Sequence, residues 1–160
     1  MSPDYVNENC GICKLLPTET NPVTITPDWV VNLAPDQGYL GRCYVTSRRH
    51  LPSLSSVLSD QWLDFSQVVE EFESTAKRAF GAELFNWGCL LNDAYQVDPP
   101  APHVHWHVRP RYRKPVEFAG QTFIDPNFGH HYDRDHKLLV DEATKAAIIA
   151  KLRVQHWRQG

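Results

Sequence analysis

Apolar residues divide the chain into short strands and two helices. DWVVNLA at 28–34 and GYLGRCYVTS at 38–47 predict two strands around a turn at 35–38. LFNWGCLLN at 84–92 predicts another strand, and the alternating segment at 103–109 one more. A polar, proline-rich stretch, DAYQVDPPAP, separates the last two and predicts a loop.

A helical pattern follows the second strand. Ser59 is a candidate N-cap and Gly81 a candidate end. Apolar residues recur there at three- and four-residue steps, at Trp62, Phe65, Val69, Phe72 and Ala76. A C-terminal helix is predicted at about 141–157, with Ala147, Ile148, Leu152 and Trp157 toward the core. Strands that follow strands, with few short β-α-β units, predict an α+β fold with a mainly antiparallel sheet.

The length of 160 residues predicts a single domain, 1–160. We expect a core at about 10–112, a loop or lid at about 113–140 and then the C-terminal helix. A loop of that length often covers a site or contacts a partner. Its histidines, His130, His131 and His136, lie either in an exposed polar loop or in a flap that supplies a phosphate contact.

Composition narrows the function classes. An apolar fraction of 42% and a charged fraction of 22% are those of a soluble globular protein. The formal net charge of −3 argues against a general nucleic-acid binder. The first thirty residues have no signal-peptide pattern, and no stretch approaches eighteen consecutive apolar residues. We therefore expect a cytoplasmic protein with no membrane and no nucleic-acid partner.

Four cysteines divide into a C-x-x-C pair, Cys10 and Cys13, and two single residues. In a reducing cytosol, such a pair is more often a metal clip or a redox pair than a structural disulfide. Cys43 and Cys89 lie within apolar runs and are expected to be buried thiols.

The segment PHVHWHVRPRY at 102–112 has histidine at every second position. Side chains alternate between the two faces of a strand, so His103, His105 and His107 are expected to share one face. Neighbouring Cβ atoms on that face are roughly 6.5–7 Å apart, close enough for two imidazoles to converge on one phosphate or one metal. A metal site, a catalytic site and a pH-sensitive patch all remain open at this point.

The residues HVHWHVR resemble the signature of the histidine-triad (HIT) superfamily, in which three histidines alternate with hydrophobic residues. CGICKLL at the N-terminus is similar to the C-x-x-C opening of a zinc-bearing bacterial branch. The segment YLGRCYVTSRRHLPSLSSVLSDQWLDF, and then LLN and RPRY, also match in order over roughly 10–112. The resemblance implies a HIT-like fold, with about five mainly antiparallel strands, one long helix and a C-terminal helix.

The resemblance also implies roles for single residues. His105 is the expected nucleophile on an α-phosphate, and forms a phosphoramidate that water or another acceptor resolves. His107 is the expected flanking donor, and Asn92 matches a position that contacts phosphate. In the zinc-bearing branch the first triad histidine is a ligand, which implies a structural zinc site formed by Cys10, Cys13, His50 and His103.

Four positions depart from the family pattern. Arg109 replaces a hydrophobic residue after the triad, and Arg42 replaces a histidine of the second strand; either arginine is a candidate phosphate contact. Pro99 stands where a loop glutamine is usual. The ribose-binding aspartate has no clear counterpart, because VVNLAPD offers only Asn32 and Asp36.

The resemblance implies a nucleotide hydrolase or nucleotidyl transferase that acts on a purine nucleotide or dinucleotide, with diadenosine tetraphosphate-like compounds as the expected substrates. It also implies a homodimer. Two alternatives stay open: a metal-dependent hydrolase that uses all three triad histidines as ligands, and a nucleotide-binding protein that has lost turnover.

Overall fold

The computed structural model describes residues 6–18 and 21–153. The helices are α1 (Gly11–Leu15), α2 (Ser59–Phe80) and α3 (Glu142–Arg153). The strands are β1 (Thr24–Ile25), β2 (Trp29–Leu33), β3 (Cys43–Ser47), β4 (Leu84–Gly88), β5 (His105–Arg111), β6 (Val116–Phe118) and β7 (Gln121–Phe123). Within the described ranges, no helix is both long and apolar enough to cross a bilayer.

Five strands form one sheet in the order β1-β2-β3-β5-β4, and every neighbouring pair is antiparallel. This confirms the predicted α+β class and the antiparallel sheet. The triad strand β5 lies between β3 and β4, so both its edges are paired. Tyr44 of β3 and Gly88 of β4 lie opposite His107 on either side.

One face of the sheet packs on α2. Phe65 of the helix stacks on Trp106 of β5, with ring centroids 4.9 Å apart, and Phe72 contacts Trp87 at 5.8 Å. Val31, Val45 and Val108 of this face belong to the buried core, and the two tryptophans pack against it. Because side chains alternate along a strand, residues 105, 107 and 109 point to the opposite face. The apolar face therefore holds the sheet, while the polar face remains for a site.

The predicted elements are present, but several boundaries differ. Strand β3 begins only at Cys43, because Gly41 adopts a left-handed φ of +76° and the chain turns there. Strand β4 ends at Gly88, so Asn92 begins a short 3-10 turn instead of ending the strand. The triad strand begins at His105, which leaves His103 before it.

The helix predictions need smaller corrections. Ser59 is the first helical residue of α2 and not its N-cap; Leu58 is the N-cap, and its N–H donates to Oε1 of Gln61 at 2.9 Å. Val68, not Val69, is fully buried, and Trp62 is 37% exposed. In α3, Ile148 and Leu152 are buried as predicted. Trp157 lies outside the described residues.

The segment predicted as a loop at 113–140 contains a short hairpin, β6–β7. Residues 124–138, called the tether below, then return to the turn before β3. The N–H of Leu138 donates to Oδ1 of Asp36, and the N–H of Asp133 donates to the hydroxyl of Tyr39, at 2.9 and 2.8 Å. The tether is therefore hydrogen-bonded beside the polar face of the sheet.

A buried ion pair fixes the start of the tether. The Arg111 guanidinium binds both carboxylate oxygens of Asp125, at 2.6 and 3.0 Å, and both side chains are fully buried. Its remaining N–H groups donate to Oδ1 of Asn86 and to the carbonyls of Asn127 and His130. All donors of Arg111 are thus satisfied, which is what a buried guanidinium requires.

We expect Asp125→Ala to lower the free energy of unfolding by about 3–5 kcal/mol, because it leaves the charge of Arg111 buried without its carboxylate. Glu83→Ala is the matched control, since it breaks the exposed pair of Glu83 with Arg113 and is expected to cost less than about 1 kcal/mol. Urea unfolding of both variants measures the difference. Equal losses in the two variants would contradict the assignment.

Candidate active site and metal cluster

The site is on the polar face of β5, where His105 and His107 point to the same side. Their ring centroids are 5.1 Å apart. The Tyr44 ring, on the neighbouring strand, is edge-on to both histidines, at 6.5 Å from His105 and 5.0 Å from His107. The pairing of β3 with β5 in register thus places an aromatic ring beside both imidazoles.

A backbone contact determines the tautomer of His105. Its Nδ1 lies 2.8 Å from the carbonyl oxygen of His103. A carbonyl only accepts, so Nδ1 carries the proton and donates it. The Nε2 atom then has its lone pair available, which is the state that a nucleophilic imidazole needs.

His107 is held in its neutral form. Burial, and after it the charges of His105, Arg109 and Arg42, together lower its pKa to about 4. Its Nδ1 is buried and has no hydrogen-bond partner among the described residues. At neutral pH this imidazole can therefore donate one N–H to a phosphate, but it carries no extra proton to give away.

A cavity of about 370 Å³ opens in front of the two histidines. Its apolar side is formed by α1 and the end of β2, through Ile12, Leu15, Leu16, Leu33 and Pro35. Its polar side contains Asn32, Tyr44, Thr46 and Asp93 in addition to the histidines. An apolar pocket with a few convergent polar groups is a typical small-molecule site.

Two asparagines considered from the sequence take different places. Asn92 is exposed on its 3-10 turn, and the neighbouring Asp93, not Asn92, lines the cavity. Asn32 pairs with Tyr44 in the sheet and lies in the cavity wall, and its Oδ1 is buried with no partner among the described residues. The alternation of side chains along β2 places Asn32 on the polar face, and this pattern is visible in the sequence.

Arg42 and Arg109 both lie near His107. Nη1 of Arg42 forms an ion pair with Asp36, and its guanidinium is 5.7 Å from the centre of the Tyr44 ring. The Arg109 guanidinium is stacked 4.1 Å above the ring of Tyr132, which belongs to the tether. Tyr132 was not singled out from the sequence, because nothing in a segment without periodicity marks it.

Four buried side chains meet beside the start of β5: Cys10, Cys13, His50 and His103. Their candidate ligand atoms all lie within 4.8 Å of one another. Nδ1 of His103 is 3.5 Å from Sγ of Cys10 and 3.4 Å from Sγ of Cys13, and Nδ1 of His50 is 3.5 Å from Sγ of Cys13. The geometry brings together all four predicted metal-ligating residues.

These distances fit a tetrahedral zinc ion. With Zn–S near 2.3 Å and Zn–N near 2.0–2.1 Å, a sulfur and a nitrogen ligand lie about 3.6 Å apart. Nε2 of His103 lies 2.8 Å from the carbonyl of Ser47, so it carries the proton and leaves Nδ1 to face the thiols. An outer hydrogen bond of this kind is usual for a metal-bound histidine. Two thiols and two imidazoles leave no open position for water.

His103 connects the two groups of residues. Its side chain belongs to the cysteine–histidine cluster, and its backbone carbonyl binds the His105 ring. The Cys10–Leu15 region also contributes to both: Cys10 and Cys13 belong to the cluster, while Ile12 and Leu15 line the cavity. The cluster therefore supports both the nucleophile's orientation and the apolar wall.

No protein-family model matches the chain, and no curated protein sequence matches it. Solved structures do. A hypothetical histidine triad nucleotide-binding protein from Sulfolobus tokodaii has a TM-score of 0.65 at 16% identity, over 90% of this chain and 89% of its own. A Hit-like protein involved in cell-cycle regulation from Bartonella henselae has a TM-score of 0.67 at 15% identity, over 93% and 97%.

A third similar structure is a zinc-bound histidine triad family protein from Mycobacterium smegmatis. Its TM-score is 0.57 at 17% identity, over 90% of this chain and 93% of its own. At these identities the likeness concerns the backbone, and it extends over nearly the whole of each chain. The chain therefore has the fold of the histidine-triad proteins.

Proposed function

We propose that the protein is a nucleotide hydrolase or nucleotidyl transferase that acts at an α-phosphate through His105. The observation that carries this proposal is the hydrogen bond from Nδ1 of His105 to the carbonyl of His103, at 2.8 Å. In the neutral imidazole this contact leaves the lone pair of Nε2 available, in a cavity of suitable size and next to a second imidazole. The solved structures of the same fold support the general class of nucleotide hydrolase or transferase.

The reaction has two steps. Nε2 of His105 forms a bond to the α-phosphorus while the bond from phosphorus to the leaving group breaks and its electron pair departs with that group. The ring now carries positive charge, which the Nδ1–H contact to the His103 carbonyl stabilises. Water or another acceptor then attacks phosphorus, the P–N bond breaks, its electron pair returns to Nε2, and the acceptor releases its proton.

The cavity suits a purine nucleotide. Ile12, Leu15 and Leu33 offer an apolar wall for a base, and Oδ1 of Asn32 is a buried acceptor without a partner. A ribose hydroxyl is a donor of the kind that would satisfy it. His107 would donate to an α-phosphate oxygen. We propose dinucleoside polyphosphates such as diadenosine tetraphosphate as substrates, which is what the HVHWHVR motif implies.

The cluster of Cys10, Cys13, His50 and His103 would hold one structural Zn²⁺. Its ligand set, burial and distances support this, as does the zinc-bound neighbour of the same fold. When bound, the ion supplies a cross-link between the N-terminal segment and the start of β5. Phosphate chemistry is the work of His105 and His107.

The rival hydrolase, with a metal on all three triad histidines, fits less well. The His103 side chain faces the cysteines, and its Nε2 is engaged by Ser47. Among the described residues, the cluster with metal-binding geometry includes neither His105 nor His107. The distribution of the histidines therefore favours covalent catalysis over metal-assisted hydrolysis.

Two further assignments belong to the proposal. A homodimer is supported by exposed apolar side chains at the start of α2, namely Leu58, Trp62 and Leu63. A cytoplasmic location is supported by the four cysteines, none of which forms a disulfide in the structure.

A substrate panel tests the function. We expect turnover of diadenosine tetraphosphate or of an adenylated amine, with AMP as a product, and transient labelling of the protein by the nucleotide after acid quenching. Micromolar binding of AMP without turnover of any substrate would contradict the proposal and favour the non-catalytic nucleotide-binding alternative.

A further inference from the structure

Two arginines extend the row of histidines on the polar face. The pairing of β3 with β5 ends at Cys43 opposite Val108. Arg42 and Arg109 are the next residues beyond this last pair. Both are half-buried. Together they continue the site beyond His107, away from His103 and the cysteines.

This region has more positive charge than its carboxylates neutralise. Among the described residues, Asp36 is the carboxylate that lies within ion-pair distance of Arg42, and none lies within that distance of Arg109. The other oxygen of Asp36 already accepts the N–H groups of Gly38 and Leu138, both at 2.9 Å. Each arginine lowers the pKa of His107, so their charges reach the site.

A donor in this region also lacks an acceptor. Nε of Arg42 is buried without a hydrogen-bond partner in the described part of the chain. Buried polar groups are normally paired, and an unpaired one calls for an explanation such as a bound ion. A phosphate group, with several acceptor oxygens and negative charge, matches both this donor and the charge of the two arginines.

The tether holds Arg109 in place. Its Tyr132 ring lies 4.1 Å below the guanidinium and contacts the Tyr39 ring at 6.4 Å. Tyr39 in turn is hydrogen-bonded to the backbone of Asp133. Tyr132 is therefore a positioning residue, because it restrains a guanidinium that forms no hydrogen bond with the other residues of 6–18 and 21–153.

We propose that Arg42 and Arg109 form a second anion subsite that binds a phosphate of the leaving group, with Tyr132 as its positioning residue. The inference rests on the proposed function, since attack by His105 defines which part of the substrate leaves. It predicts a substrate class: nucleotides whose α-phosphate is joined to a further phosphate are preferred over those joined to an amine.

The chemistry of departure agrees with this preference. When the anhydride bond breaks, the leaving phosphate takes the electron pair and one more negative charge, which two guanidinium groups stabilise without a proton. An amine must instead be protonated as it leaves, and the neutral His107 has no extra proton at pH 7. The subsite therefore favours phosphoanhydrides over phosphoramidates.

The test compares two substrates with the same adenylyl group: diadenosine tetraphosphate and adenosine 5′-phosphoramidate. We expect Arg109→Gln to lower the ratio of their kcat/KM values by about tenfold or more, as loss of one charged contact in a transition state does. Arg113→Gln is the matched control, because Arg113 is also stacked on a ring, Phe128 at 4.7 Å, but is exposed and paired with Glu83. Its ratio is expected to stay within twofold.

Tyr132→Leu is expected to lower the same ratio by about threefold or more, and the control Phe128→Leu to leave it unchanged. An unchanged ratio in Arg109→Gln would overturn the inference. If kcat/KM fell equally for both substrates, the arginine would act on the α-phosphate or in folding. If neither kcat/KM value changed, the arginine would have no part in turnover.

Calorimetry with inorganic triphosphate separates this inference from the proposed function. We expect wild-type protein and Arg113→Gln to bind triphosphate equally, and Arg109→Gln to bind it about tenfold more weakly. If Arg109→Gln binds triphosphate more weakly but the wild-type protein turns over no nucleotide, the subsite is supported and the proposed function is wrong. Equal binding by all three proteins would overturn the subsite whatever the turnover.

Discussion

Replacing His105 with glycine is expected to lower kcat by about 10⁴-fold or more, because loss of a covalent nucleophile removes the reaction path itself. Acid-quenched samples should also lose all nucleotide label on the protein. The physical reason is that Nε2 of His105 is the lone pair that the contact with the His103 carbonyl leaves available. Steady-state kinetics and labelling with a radioactive α-phosphate measure both effects.

The same variant should keep one zinc per chain, since the metal cluster uses His103 and not His105. His130→Gly is the control, because it also removes an imidazole but from an exposed position on the tether, and its kcat is expected to stay within about twofold. Label retained by His105→Gly would assign the nucleophile elsewhere. Loss of zinc from His105→Gly would mean that His105 also takes part in metal binding, contrary to the assignment of that role to His103.

Replacing Cys13 with serine should reduce bound zinc from about one to less than about 0.1 per chain, since a neutral hydroxyl is a poor zinc ligand. Cys13 is the thiol that faces both His50 and His103, at 3.5 and 3.4 Å. We also expect Cys13→Ser to lower the free energy of unfolding by roughly 3–5 kcal/mol, which corresponds to a fall in Tm of about 10 °C or more. Atomic absorption and calorimetry measure the two quantities.

Cys89→Ser is the matched control, because this cysteine lies outside the cluster, and it should keep its zinc. Chelation should bring wild-type protein to the Tm of Cys13→Ser and leave that variant unchanged. We expect KM for the nucleotide to rise in Cys13→Ser, because Ile12 and Leu15 of the cavity wall flank the missing thiol. Zinc bound as tightly by Cys13→Ser as by the wild type would refute the four-residue site.

Local patterns predicted the parts of the site that lie on regular elements. Alternation along β5 is a short-range signal, and the structure has His105 and His107 side by side as it predicted. The C-x-x-C spacing alone left a metal clip and a redox pair open; the family resemblance implied His50 and His103 as its partners, and the four side chains meet in the structure. Strand ends were less accurate. Apolar residues lie before the first residue of β3 and after the last residue of β4, so the predicted strands were too long. Hydrogen bonding across the sheet determines where pairing stops, and a single sequence does not display it.

Contacts between β5 and the tether were not predicted. Arg111 ends the strand and Asp125 lies fourteen positions later on the tether, where no periodic pattern marks it, yet both side chains are fully buried against each other. Tyr132 likewise reaches Arg109 only because the tether returns to Asp36 and Tyr39. Such contacts depend on the path of a loop. That path is determined by the tertiary structure, so a local sequence pattern does not predict it.

The contact that orients His105 comes from the backbone of His103, and this has an evolutionary consequence. Every amino acid at position 103 has a carbonyl, so selection on catalysis does not act on that side chain directly. Selection on the metal cluster does. A descendant that lost Cys10 and Cys13 would be free to replace its first histidine while the nucleophile kept its hydrogen bond. Divergence at position 103 should therefore accompany loss of the cysteine pair and not loss of turnover.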